Sequence, residues 1–312
     1  MIPQGRRKEI VMIPRKVRII EVGPRDGLQN EKKLVPTLSK IEFIKDLHAA
    51  GLSEIELTSF VRADRIPQLN DSAEVFSAVS KIDGLDLNKC PVLVPNMRGF
   101  ENAISAGVKR VALFTATSEK FNKNNINCTI DESLKKLSAV AKECSKQNIS
   151  IRGYISTVFG CPYEGKKTSG DLERIIKTLL DLGVDEISLG DTIGVATPRD
   201  IEKILDNVLQ YTPTKKIAMH FHDTYSRALA NVYASLKYGI AAYDTSAGGM
   251  GGCPYAKGAS GNLATEDLIS LLTELDIEHG VNLDLIVKAS AKVLDGLGSN
   301  SLSKVHQVVA NG

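Results

Sequence analysis

Short runs rich in Val, Ile and Leu recur along the chain, and longer amphipathic runs separate them. The runs at 17–22, 55–58, 91–94, 110–115, 150–155, 186–189, 217–221 and 242–245 are apolar on both faces, which predicts parallel strands covered on each side. Helical spacing predicts helices over 38–50, 99–106, 131–147, 172–182, 199–211 and 226–238. A further helix is predicted over 265–275, opening at the cap Thr265 with Glu266 and Asp267 in its first turn. Gly51, Gly107, Gly183 and Gly239 stand where four of these helices should stop. Eight strand–helix units predict an α/β fold, a (β/α)8 TIM barrel, because eight parallel staves close on themselves. An open doubly wound sheet would place a glycine-rich dinucleotide turn after the first strand, and GPRDG is not that fingerprint. The expected divisions are an N-terminal extension (1–16), the barrel (17–276) and a small C-terminal helical appendage (277–312). The appendage is built around the helical run 283–294 and is expected beneath or beside the barrel.

Composition narrows the class. The chain has 312 residues, 43% hydrophobic and 24% charged, enough for a full barrel core and far from a disordered composition. Its net charge of +2 comes from near balance of basic and acidic side chains, so no nucleic-acid surface is expected. No apolar run approaches the length of a membrane span. Cys90, Cys128, Cys144, Cys161 and Cys253 are odd in number and lack CxxC spacing. That predicts reduced thiols in a cytoplasmic compartment, neither a disulfide scaffold nor a zinc ribbon. The basic start MIPQGRRKEIVMIPRK lacks an apolar signal core and the Ser-rich character of a transit peptide.

In such barrels the loops after the strands form the reactive face, and ionisable residues collect there. Arg25 and Asp26 follow the first strand, Glu56, Thr58 and Ser59 the second, Ser188, Asp191 and Thr192 the sixth, and His220, His222 and Asp223 the seventh. The opposite strand ends show no comparable concentration, so the expectation is a polar mouth on apolar walls. In HFHDT, strand alternation turns His220 and His222 to one side and Phe221 away. Taken alone, HxH favours hydrogen-bonded core histidines over a metal site. Asp26 changes that balance, because the first and seventh strands both flank the eighth, and Asn262 offers an amide oxygen from the last loop. A His₂/Asp/Asn set leaves positions open for water or substrate, as a catalytic metal requires. Imidazole suits zinc or iron, while the oxygens suit magnesium or manganese. Arg25 is either a surface arginine or a charged fork for an enolate or carboxylate oxygen. Glu56 and Asp191 are its ion-pair partners or catalytic groups. GGMGGCPYAKGASGN reads as a lid carrying Cys253 into the site, against a flexible connector with an incidental thiol. The other cysteines read as structural.

These stretches together resemble hydroxymethylglutaryl-CoA lyase. The likeness rests on VGPRDGLQNE, IELTSF, KNNINCTI, FGCPYEG, ISLGDTIG, HFHDT and GGMGGCPYAKGASGNLATEDL, and spans residues 17–305. The Cys-Pro-Tyr glycine loop is specific to that family, whereas RDG and HxH are shared with related barrels that make and break carbon–carbon bonds. The resemblance implies cleavage of 3-hydroxy-3-methylglutaryl-CoA, a small-molecule acyl-CoA, to acetyl-CoA and acetoacetate, serving leucine degradation and ketone-body formation. It implies Asp26, His220, His222 and Asn262 as ligands of Mg²⁺ or Mn²⁺ and Arg25 as the stabiliser of the acetyl-CoA enolate. It implies Cys253 as a loop thiol in proton transfer, and Glu56 and Asp191 as residues needed for activity or for arranging the site. It also implies a homodimer, cytoplasmic or, in a eukaryote, in the mitochondrial matrix. Animal members carry a cysteine near the C-terminus linked to thiol control, and SKVHQVVANG has none, so such control is not expected. Two rival readings are a Claisen-type condensing enzyme of the 2-isopropylmalate or homocitrate synthase kind, which lacks the GGCPYA loop, and a catalytically silent metal- or acyl-CoA-binding barrel.

Overall fold

The computed structural model describes residues 13–166, 170–252 and 261–311. Eight parallel strands make one sheet: β1 (Arg18–Glu21), β2 (Glu54–Ile55), β3 (Val92–Leu93), β4 (Arg110–Ala116), β5 (Ser150–Ser156), β6 (Glu186–Asp191), β7 (Ile217–Phe221) and β8 (Ala242–Thr245). β1 lies between β2 and β8, and the order continues through β7, β6, β5 and β4 to β3. The chain after β2 then passes from one edge to the other. Glu56 N–H donates to Glu21 O at 2.8 Å, Leu57 N–H to Pro91 O at 3.1 Å, and Leu93 N–H to Thr58 O at 3.0 Å. Those bonds close the sheet into the expected barrel.

Around it lie α1 (Thr37–Ala49), α2 (Ser72–Val79), α3 (Met97–Ser105), α4 (Glu119–Ile126), α5 (Ile130–Lys146), α6 (Gly170–Asp181), α7 (Pro198–Val208), α8 (Ala228–Leu236), α9 (Thr265–Glu274), α10 (Leu283–Leu297) and α11 (Lys304–Val309). Every strand run and every expected helix has a counterpart. α2, α4 and α11 were not expected, because they are short and, in α4, almost wholly polar. α4 forms through end effects: Ser118 accepts from Phe121 N–H at its start, and Asn127 at its end takes a left-handed φ of 50°. Thr265 is not the cap of α9, which opens at Ala264 without a side-chain bond. Its hydroxyl faces the buried Glu21 carboxylate at 2.6 Å and is unavailable to the helix N–H groups. Gly51, Gly107, Gly183 and Gly239 do end helices, each at positive φ.

The C-terminal segment lies beside the barrel. Val17 N–H donates to Glu278 O at the start of β1, and α10 then packs along α1 and meets the loop after β8. Lys16, expected in the extension, already bridges to Glu278. One continuous apolar shell, including Ile44, Leu47, Ile55, Val92, Ile187, Leu205 and Met219, fills the space between strands and helices.

The lumen corrects the expectation of apolar walls. Arg152 on β5 donates to Glu186 at 2.9 Å and, across the barrel, to Asp244 on β8 at 2.6 Å. Below them Arg18 pairs with Glu54 at 2.7 Å and also meets Glu186, and Arg110 lies 3.8 Å from Glu54. Small residues at neighbouring inward positions, Ala112, Ala218 and Ala242, leave room for these heads. The apolar average of each strand hid them, because one inward charged residue hardly changes it.

Candidate active site

GPRDG, residues 23–27, forms a single π-helical turn at the end of β1. Gly27 N–H reaches back to Val22 O at 3.2 Å and Leu28 N–H to Gly23 O at 3.0 Å. Pro24 suits this start because a first-turn residue needs no N–H partner. The wide turn brings adjacent side chains to the same place, which a strand cannot do. A side chain at Gly27 would put its Cβ 2.7 Å from Ser246 Oγ and 3.3 Å from Met250 Cβ, so the turn packs closely against the loop after β8 and Ser246 would have to move.

Arg25 is buried, with Nε 2.8 Å and Nη2 2.7 Å from Glu56 Oε2 and Nη1 2.6 Å from Asp26 Oδ1. Burial opposes its charge, but the Glu56 and Asp26 carboxylates outweigh that and hold it protonated. Asp26 Oδ1 also accepts from Gln29, and Oδ2 accepts from Asn262 Nδ2 at 2.9 Å. Burial would raise the Asp26 carboxyl; Arg25, His220 and His222 instead draw it down to about 2.

Across the mouth, His220 is the penultimate residue of β7 and His222 follows the strand, with Phe221 turned into the apolar shell. The imidazole centroids are 5.2 Å apart. Metal-ligating atoms of Asp26, His220 and His222 all lie within 4.8 Å of one another. A backbone bridge sets His222 beside Asn262, whose buried Oδ1 has no hydrogen-bond partner among the described residues. Two imidazoles, a carboxylate and an unengaged amide oxygen fit a divalent cation of the hard-to-borderline class.

The sequence model of the HMGL-like family matches residues 16–293. The chain belongs to the HMGL-like family. It is 50% identical to the mitochondrial hydroxymethylglutaryl-CoA lyase of Bos taurus over 294 residues, covering 94% of this chain and 90% of the relative. It is 47% identical to the cytoplasmic 3-hydroxy-3-methylglutaryl-CoA lyase of Homo sapiens over 299 residues, covering 96% of this chain and 80% of the relative. The crystal structure of hydroxymethylglutaryl-CoA lyase from Pseudomonas aeruginosa superposes with a TM-score of 0.92 at 44% identity, covering 96% of this chain and 99% of that one.

Within this HMGL-like barrel, Arg25, Asp26, Glu56, His220, His222 and Asn262 converge at one mouth. Asp191 lies at the same end but is not an ion-pair partner of Arg25. Its carboxylate accepts backbone N–H groups of Val195 and Ala196, both at 3.0 Å, as the turn after β6 folds back over it. Burial raises its carboxyl to about 6, against those bonds. Cys253 lies outside the described residues. Cys161 is buried with its sulfur 2.9 Å from Ser118 Oγ, and Cys90, Cys128 and Cys144 are buried and free. The sequence reading missed Tyr154 and Asp244. Tyr154 on β5 lies under Arg25, 5.5 Å from guanidinium to ring centre, and edge-on to His220. Asp244 on β8 faces His220 Nδ1 at 3.2 Å. Both occupy inward positions of apolar strands, so strand alternation applied to their polar residues was the available signal.

Proposed function

We propose that this protein cleaves 3-hydroxy-3-methylglutaryl-CoA to acetyl-CoA and acetoacetate with a divalent cation, Mg²⁺ or Mn²⁺, held by Asp26, His220, His222 and Asn262. The convergence of the two imidazoles and the Asp26 carboxylate beside the buried Arg25 carries this reading. Curated relatives at 47–50% identity bear the activity in their names. Bound at these residues, the cation supplies Lewis acidity that lowers the pKa of the substrate hydroxyl. Loss of that hydroxyl proton, to Asp26 directly or through water, forms the ketone of acetoacetate as the C2–C3 bond breaks. The electron pair passes to the thioester enolate. Arg25 meets that developing charge: three of its nitrogens engage Glu56 and Asp26, and two of its five N–H groups are left for the oxygen. Cys253 returns a proton to C2, which completes acetyl-CoA. Glu56 holds the guanidinium in place, and Asp191 braces the turn after β6.

The deciding assay follows acetoacetate from the CoA ester after EDTA treatment and after adding back Mg²⁺ or Mn²⁺. Activity should disappear with EDTA and return with either ion; full activity in EDTA would overturn the cation reading. Thiol release from acetyl-CoA with 2-oxo acids, in place of cleavage, would favour the condensing rival. A homodimer is part of the proposal and is read by sedimentation velocity. The compartment is proposed as cytoplasm or mitochondrial matrix, consistent with free buried thiols and with relatives named for both places.

A further inference from the structure

The mouth does not end at the residues named for the cation, because His220 rests on a charged support that the reaction itself does not touch. His220 Nδ1 lies 3.2 Å from Asp244 Oδ2. The same oxygen accepts from Ser188 Oγ at 2.7 Å, and Arg152 donates to Oδ1 at 2.6 Å and to Oδ2 at 3.3 Å. Arg152 is braced in turn by Glu186. All of Asp244, Ser188 and Arg152 are buried, so the carboxylate has no freedom to turn towards water.

We infer that Asp244 is a positioning residue: locked by Arg152 and Ser188, it fixes the His220 ring with its proton on Nδ1 and keeps Nε2 free for a divalent cation. The inference rests on the cation reading above. A carboxylate only accepts, so the His220 nitrogen facing it must donate. The other ring nitrogen, Nε2, is then the one with a lone pair to offer to the cluster that His220 forms with Asp26 and His222. A histidine ligand held through its second nitrogen by a carboxylate keeps one tautomer and one orientation, and loss of such a partner costs about 10- to 100-fold in metal affinity.

Arg152 makes the inference sharp. Guanidinium donates and never accepts, so in Asp244→Asn the amide oxygen must turn to Arg152 and its NH₂ towards His220. Nδ1 would then have to accept, moving the proton to Nε2 and blocking the lone pair. The charge of the site changes by one unit, but the decisive change is the tautomer.

Two measurements test this. Long-range ¹⁵N–¹H spectra of the metal-free protein, at a pH where the ring is neutral, read the His220 tautomer. The chain has five histidines, and the signal lost in His220→Gln identifies the ring. Wild type should carry the proton on Nδ1 and Asp244→Asn on Nε2. Mn²⁺ titration followed by electron paramagnetic resonance should show affinity falling about 10- to 100-fold in Asp244→Asn, and an effect below about twofold when the same change is made in His220→Gln. A wild-type proton on Nε2, or wild-type Mn²⁺ affinity in Asp244→Asn, overturns the inference. A wild type that binds no Mn²⁺ overturns the cation reading instead, while the tautomer still decides the positioning role. Should Asp244→Asn fail to fold, the wild-type spectrum decides.

Discussion

Between Glu56 and Asp26 the Arg25 guanidinium is held at three nitrogens, and a single ammonium cannot reproduce that fork. Arg25→Lys should therefore keep the charge and lose the geometry, and Arg25→Met should lose both. With cation saturating, kcat should fall about 10²- to 10³-fold in Arg25→Met, on the order of 3 to 4 kcal/mol of transition-state stabilisation. Turnover near wild type in Arg25→Met would remove Arg25 from the enolate role. At this scale the sequence was informative wherever a residue type is rare for its setting: a charged pair after an apolar strand, two histidines two apart. It was uninformative where the meaning lies in a partner far along the chain. Nothing near Asp244 in sequence points to Arg152, 92 residues away. Asp191 shows the converse, since its partners are the local N–H groups of Val195 and Ala196 and not the distant guanidinium.

Elements meet at buried carboxylates whose partners differ. Glu21, at the end of β1, accepts from Gly23 N–H at 2.7 Å, Ala247 N–H at 3.0 Å and the Thr265 hydroxyl, so it ties β1 to the loop after β8 and to α9. Among the described residues no cation pairs with it, and burial raises its carboxyl to about 7. The folded pKa lies above the unfolded value near 4.5, so its contribution is fully present below pH 4.5 and is lost as pH rises to about 7. Denaturant midpoints of wild type and Glu21→Gln should diverge in favour of the variant across that window, by on the order of 3 kcal/mol at most. A difference that is flat with pH would show that Glu21 does not titrate there. Glu186 is the contrasting case, serving Arg18, Arg110 and Arg152 together. Glu186→Gln strands buried positive charge and should destabilise by about 3 to 5 kcal/mol. Lys292→Ala, which removes the exposed Lys292–Asp46 pair, should leave the midpoint nearly unchanged. Equal effects from the two would contradict the buried ladder. The strands were legible because each is a short doubly apolar run. The lumen charges and the π turn were not, because neither changes the average character of its segment.

For the whole barrel the proposed ligands come from three places, the turn after β1, the end of β7 and the segment after β8. A cation bound there would add a link between elements that backbone bonds and the Asn262–Asp26 hydrogen bond already connect. At a hundredfold excess over Kd it should stabilise the native state by about 2.7 kcal/mol. Differential scanning calorimetry should show Mn²⁺ raising the Tm of wild type by several degrees and leaving that of His222→Ala unmoved. An equal shift in both would place the ion elsewhere. Eightfold strand–helix recurrence made this architecture legible from the outset, since closure follows from the count of staves. The side on which the C-terminal helices lie was not legible, because α10 presents the same apolar stripe whether it packs beneath the barrel or beside it. The seam between β1 and β8 also has a bearing on biosynthesis. Asp26 leaves the ribosome 236 residues ahead of Asn262, so a nascent chain would hold the one acidic member of the proposed ligand set in waiting until the final stave arrives. On the proposed ligand set, full capture of the ion would wait until translation has run past the last strand, and a polypeptide terminated before Asn262 would lack the amide that completes the set.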